Sequence, residues 1–237
     1  MTTLRRLPFL RLAFIAALAL AFPASAREVP YLTAQELDLV AILPPPVVNG
    51  SAADAAEQAE VLATQQAASA ERVAKAQRDG AETLPVLLDD ALGKPIEMRA
   101  LPALGRLFDR LDATEGAVIA PTKKAFDRRR PYLSNGAIKP LVRPSVSGSY
   151  PSGHTTWSTV AAIVLGQMVP EKRDIIFARA ADYALSRVVG GMHYLNDLEG
   201  GRRAGTAIVV AVMARPEYQA DFAAARAELR AYLGLAP

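Results

Sequence analysis

One stretch, "SAADAAEQAEVLATQQAASAERVAKAQRDG" at residues 51–80, constrains the fold most. Its alanine, glutamate, glutamine and lysine content gives high helix propensity. Ser51 followed by Asp54 reads as a helix start and Gly80 as its stop, which predicts one helix across the stretch. It carries no catalytic residue types in a useful pattern, so its expected role is a packing scaffold or a dimer contact. Shorter helices fit residues 97–111 and 114–126, with a proline-punctuated loop from Pro131 to Pro151. Beyond the loop, Val160, Ile163, Val164 and Met168 recur at helical spacing, as do Tyr218, Phe222, Leu229 and Leu233. Only "TAIVVAVMA" reads equally as a buried strand. The chain is therefore expected to be all-α.

The first 26 residues have the form of a cleaved secretory signal: a basic start, an apolar run, and Ala24, Ser25 and Ala26 at the end. Residues 27–50 follow as an arm with a possible short helix capped by Thr33 and Glu36, broken by Pro44, Pro45 and Pro46. Residues 51–237 are then a single helical domain. Arg5, Arg6 and Arg11 all lie in the leader, and without them the 27 Lys and Arg fall to 24, the number of Asp and Glu. That balance argues against a nucleic-acid-binding protein. With no cysteine, an exported chain must rely on its core rather than on disulfides. The remaining apolar runs are too short to span a bilayer, so no membrane span is expected after cleavage, and a periplasmic or secreted location is.

Polar residues suited to chemistry fall into three clusters. In "GSYPSGHTTW", residues 148–157, small residues precede an apolar run that reads as a helix. The unpaired amides and dipole of such a helix start suit an anion, although an ordinary Ser or Gly cap explains the residues equally well. In "SRVVGGMHYLND", residues 186–197, His193 and Asp197 are four apart, so on a helix they share a face and the carboxylate takes the imidazole proton. A structural His–Asp contact is the bland alternative. "KKAFDRRRP", residues 123–131, is either a solvated basic face or a phosphate clamp. Two histidines and no cysteine leave only carboxylates to complete a zinc shell, and P-S-G-H lacks the serine-nucleophile elbow. No metal or cofactor is expected.

Taken in order, the clusters read K-x6-RP, PSGH and SR-x5-H-x3-D: Lys123 with Arg130 and Pro131, then Pro151 to His154, then Ser186, Arg187, His193 and Asp197. This resembles the type 2 phosphatidic acid phosphatase superfamily, which embraces soluble bacterial acid phosphatases, membrane lipid phosphatases and vanadium haloperoxidases. "GSYPSGHT", the leader and the proline arm are most similar to the class A bacterial non-specific acid phosphatases. The resemblance implies a helical bundle of the acid phosphatase and vanadium haloperoxidase type, with the three motifs converging at one end. It also implies roles: His193 as nucleophile oriented by Asp197, His154 as acid and then base, and Lys123, Arg130, Arg187, Ser152 and the Gly153 amide as phosphate ligands. Arg128 is assigned to the rim, and Lys124 and Arg129 to surface charge.

The expected activity is metal-independent hydrolysis of small phosphomonoesters through a phosphohistidine, inhibited by inorganic phosphate or vanadate and fastest at mildly acidic pH. The competing readings are a vanadium haloperoxidase, a lipid phosphate phosphatase and an inert phosphate-binding protein. The alanine-rich helix and the arm offer surfaces for a homo-oligomer.

Overall fold

A computed structural model describes residues 29–237, so the leader-like stretch lies outside the described residues. These residues form α1 (Leu39–Ile42), α2 (Ala52–Ala67), α3 (Ala70–Arg78), α4 (Leu84–Leu92), α5 (Pro102–Phe126), α6 (Pro131–Ser134), α7 (Gly153–Met168), α8 (Arg173–Val189), α9 (Leu195–Val212) and α10 (Pro216–Leu233), and no strand. The fold is all-α. "TAIVVAVMA" belongs to the second half of α9, which is helical through Val212.

Two helix boundaries differ from the sequence expectation. The alanine-rich stretch is two helices, because Ser69 adopts extended backbone and its hydroxyl accepts the Arg72 amide as a new N-cap. Serine competes with the helix for backbone donors, and here that competition ends α2 and restarts the chain as α3. Conversely, α5 runs unbroken where two helices were expected. Thr114 sits inside it with its hydroxyl donating to the Arg110 carbonyl at 2.7 Å and accepting the Tyr31 amide at 2.8 Å, so its polar group is satisfied without leaving the helix. Leu104, Leu107, Leu111 and Val118 give α5 a continuous buried face. Thr33 and Glu36 form a turn rather than a helix; the short α1 is capped by Asp38 instead.

The core gathers α4, α5, α7, α8, α9 and α10 with the arm. Tyr31, Leu32, Leu39 and Leu43 of the arm are buried in it, and Tyr31 meets Tyr218 of α10 edge-to-face at 5.5 Å. The arm therefore inserts side chains into the core. Val160, Val164 and Met168 of α7 and Leu229 of α10 are buried, as their spacing predicts.

The tightest contact is between α7 and α9. A Cβ on Gly201 would lie 2.7 Å from the Ser152 carbonyl, and one on Gly205 2.7 Å from the Thr156 carbonyl. The two backbones touch along this stripe, and no larger residue fits without moving one helix. Gly205→Ala gains about 1 kcal/mol of helix propensity but overpacks a backbone contact. The expected net result is a loss of about 1–3 kcal/mol, read as a lower denaturant midpoint with an unchanged m value.

Candidate active site

The α7–α9 contact brings the starts of both helices together. Ser152 caps α7, its hydroxyl accepting the Thr155 amide at 3.3 Å, while its own amide donates to the Asp197 carbonyl at 3.0 Å. The amides at the first two positions, Gly153 and His154, have no carbonyl one turn back to bond. Both residues line a cleft of about 850 Å³ together with Lys123, Arg130, Arg187 and His193. Six of the eight residues singled out from the sequence thus share one cavity. Ser152 lies beneath it, fully buried, and Asp197 lies behind His193.

His193 and Asp197 do not share a helical face as the four-residue spacing suggested. α9 starts at Leu195, so His193 precedes the helix and Asp197 occupies its third position. From there the carboxylate reaches back: Oδ2 accepts the Tyr194 amide at 2.9 Å and faces His193 Nδ1 at 3.4 Å. Ser149 donates its hydroxyl to the same oxygen and lies 3.4 Å from His193 Nδ1. On the other side of the ring, His193 Nε2 is 3.1 Å from Arg130 Nη1. Arginine is only a donor, so this network assigns the proton to Nδ1 and the lone pair to Nε2. Burial, with Arg130, Lys123, Arg187 and His154 nearby, holds His193 well below the usual imidazole range. The ring is held neutral, and its unprotonated nitrogen faces the cleft's cations with Arg130 against it.

Arg130 is held by the carbonyls of Ser147, Met192 and Gly148, and Lys123 Nζ donates to the Gly148 carbonyl at 3.1 Å. Arg187 has Nε and Nη1 buried without a hydrogen-bond partner. An orphaned guanidinium edge in a cleft is a site for an oxyanion. Burial and the neighbouring Arg130 lower Lys123 to about 8, and burial with Glu82 close by raises Glu115 to about 8. Among the described residues no group of three or more His, Asp or Glu side chains gathers as a metal shell.

Arg128 corrects the sequence reading. It is not on the rim but buried, donating from Nη1 to Asp197 at 2.7 Å and from Nη2 to Glu57, with Asp54 at 3.8 Å and its guanidinium 4.0 Å from the Tyr194 ring. Lys124 and Arg129 are exposed, as expected. Sequence reasoning also passed over Ser149, Glu82 and Glu115. Ser149 adjoins the PSGH motif, so proximity was an available signal; the two glutamates sit in unremarkable contexts. Glu82 Oε1 lies 3.0 Å from His154 Nδ1, and His154 Nε2 lies 3.1 Å from the Gly80 carbonyl.

A helical domain in which a neutral histidine, oriented by a buried carboxylate, faces a ring of cations is built for phosphoryl or related oxyanion chemistry. The family model for the PAP2 superfamily matches residues 113–221, which contain all eight of these positions. It is similar to a non-specific acid phosphatase of Providencia stuartii, 29% identical over 202 residues covering 82% of each chain. It is also similar to an acid phosphatase of Zymomonas mobilis subsp. mobilis, 29% identical over 199 residues, 81% of this chain and 75% of that one. In fold it matches a transmembrane PAP2-type phosphatidylglycerolphosphate phosphatase from Bacillus subtilis, with a TM-score of 0.56, 20% identity, and 77% and 92% of the two chains covered.

Arg128→Met tests the buried network. It leaves Asp197 and Glu57 without their shared cation, and breaking such a pair from one side costs about 3–5 kcal/mol. The expected outcome is a correspondingly lower melting temperature, together with a loss of turnover in whatever protein remains folded.

Proposed function

We propose that this chain is an exported acid phosphatase that hydrolyses small phosphomonoesters through a phosphohistidine. The observation that carries the reading is the neutral His193, its Nε2 lone pair facing Lys123, Arg130 and Arg187 across one cleft. In the resting site Arg130 donates toward Nε2; an arriving phosphoryl group takes that N–H onto an oxygen and frees the lone pair. Nε2 then attacks phosphorus and the bond to the leaving oxygen breaks, His154 supplying the proton that oxygen needs. Water, deprotonated by His154, next displaces phosphate from Nε2. Lys123, Arg130, Arg187 and the first-turn amides of α7 hold the equatorial oxygens, where charge stabilisation does most of the catalytic work. Ser152, buried beneath the cleft, keeps its hydroxyl proton for the same oxygens. Asp197 fixes the His193 tautomer and stabilises the cation that forms on the ring.

Every step in this scheme uses groups of the chain itself, so turnover survives EDTA and is inhibited by vanadate and by inorganic phosphate. Export rests on the N-terminal 26 residues, with residues 27–50 as an arm and 51–237 as the catalytic domain. Among the described residues no helix is long and apolar enough to cross a membrane, which favours small esters over a bilayer-embedded substrate. The acid phosphatases among its relatives support the same choice.

His193→Ala is expected to lower turnover of p-nitrophenyl phosphate by at least about 10³-fold, because it removes the nucleophile. Near-normal turnover in that variant defeats the proposal. The pH dependence has a definite sign. A depressed His193 stays neutral through mildly acidic pH, so loss of the nucleophile sets in only well below the ordinary imidazole range. Lys123 loses its charge and Glu115 gains one as pH rises through about 8. Both changes weaken anion binding, so the inhibition constant of inorganic phosphate is expected to rise above that pH, and less steeply in Glu115→Gln.

A further inference from the structure

His154 has partners on both ring nitrogens, and both partners are acceptors. Glu82 Oε1 lies 3.0 Å from Nδ1, and the Gly80 carbonyl lies 3.1 Å from Nε2. A carbonyl oxygen accepts only, as does an ionised carboxylate, so the arrangement is satisfied when both nitrogens carry protons. The segment supplying these acceptors is anchored. Tyr183 donates its hydroxyl to the Ala81 carbonyl at 2.9 Å, Gly80 donates its amide to Gln77, and the neighbouring Asp79 accepts from Ser186 and Arg179 of α8. The Tyr183 ring stacks beneath His154 at 5.9 Å and 19°. His154 is thus gripped by a tied-down turn, with Glu82 at its tip.

We propose that Glu82 is a positioning residue for the general acid, forming with His154 a second histidine–carboxylate pair that keeps the ring in its imidazolium form until the leaving group takes the proton. The inference rests on the phosphatase reading above. During the first step Nε2–H leaves the Gly80 carbonyl for the ester oxygen, the P–O bonding pair goes to that oxygen, and the proton neutralises it. Glu82 stays on Nδ1–H throughout, so the ring keeps its orientation as it becomes neutral and can accept a proton from water in the second step.

The two pairs differ in their surroundings, in keeping with their tasks. The His193 and Asp197 side chains are 3% and 0% exposed, whereas those of His154 and Glu82 are 19% and 38% exposed. The nucleophile is dry and neutral; the acid faces the solvent from which its proton is replaced. The charged and titratable groups around the His154–Glu82 pair come from three elements. Lys123 and Glu115 stand on α5, Arg187 and Tyr183 on α8, and His193 on the loop before α9. Burial acts to raise the Glu82 carboxyl, but the bond with His154 and the charges of His154, Arg187 and Lys123 outweigh it and hold Glu82 below its ordinary value.

The test is Glu82→Gln, assayed against pH on p-nitrophenyl phosphate, whose leaving group needs little protonation, and on ethyl phosphate, whose leaving group needs it fully. The expected result is a loss of kcat/KM of about tenfold or more on ethyl phosphate against less than about threefold on p-nitrophenyl phosphate. The descending limb of the profile should move to lower pH by about one unit. Glu82→Asp, which keeps the charge, should retain the parental limb. Equal losses on both esters with an unmoved limb, or no loss at all, overturn the proposal. A ¹⁵N spectrum of the unsubstituted protein at about pH 6 offers an independent check that requires no variant to fold: both His154 ring nitrogens should be protonated, and a neutral ring overturns the proposal. His193→Ala in parallel separates the two levels. An inactive His193 variant beside an unaltered Glu82→Gln sinks this inference alone, whereas an active His193 variant sinks the phosphatase mechanism beneath it.

Discussion

Asp197 carries a charge with no access to water, and much of the architecture serves to satisfy it. A buried carboxylate is tolerable only when paired and hydrogen-bonded. Its donors come from separate parts of the chain: Arg128 just beyond α5, Ser149 before α7, the Tyr194 amide at the start of α9, and the His193 ring. Arg128 in turn recruits Glu57 and Asp54, which seats α2. The orientation of His193 is thus one result of the same network that docks a helix remote in sequence, so local stability and catalytic geometry are not independent here.

The cationic side of the site has the opposite character. Lys123, Arg130 and Arg187 converge on the cleft, and burial, with the neighbouring Arg130, holds Lys123 low. Arg187 leaves two buried nitrogens unmatched. Such a cluster is least comfortable empty. A tetrahedral oxyanion relieves it, and the more charge its oxygens carry the greater the relief, which favours the transition state over the neutral groups of the product alcohol.

Much of this was legible in the sequence because the motif residues carry their chemistry in their identity and spacing. Lys123, Arg130, His154, Arg187 and His193 do reach one cleft. What escaped depends on tertiary contact. Arg128 could not be told from Arg129 within the run of three arginines, since only packing against Tyr194 and Asp197 draws it inside. Glu82 lies far from the motifs and meets His154 only because Tyr183 pins the Ala81 carbonyl. The helix misreadings have the same origin. Ser69 ended a helix that alanine propensity would have continued, and Thr114 stayed in one that a polar break would have divided, each through a specific hydrogen bond.

The glycine stripe between α7 and α9 has a consequence for how such a protein can diversify. The two histidines are carried at the starts of helices that touch backbone to backbone, with no intervening layer of side chains to yield. Their separation is accordingly insensitive to repacking elsewhere. The cleft's outer wall is different: Leu141, Val142, Pro144 and Val146 belong to a proline-rich connection, and Val146 is fully exposed. Substitutions there can reshape what is admitted without disturbing how it is processed. The molecule therefore separates a fixed reaction centre from a replaceable selector, which lets new substrate ranges arise from one unaltered chemistry.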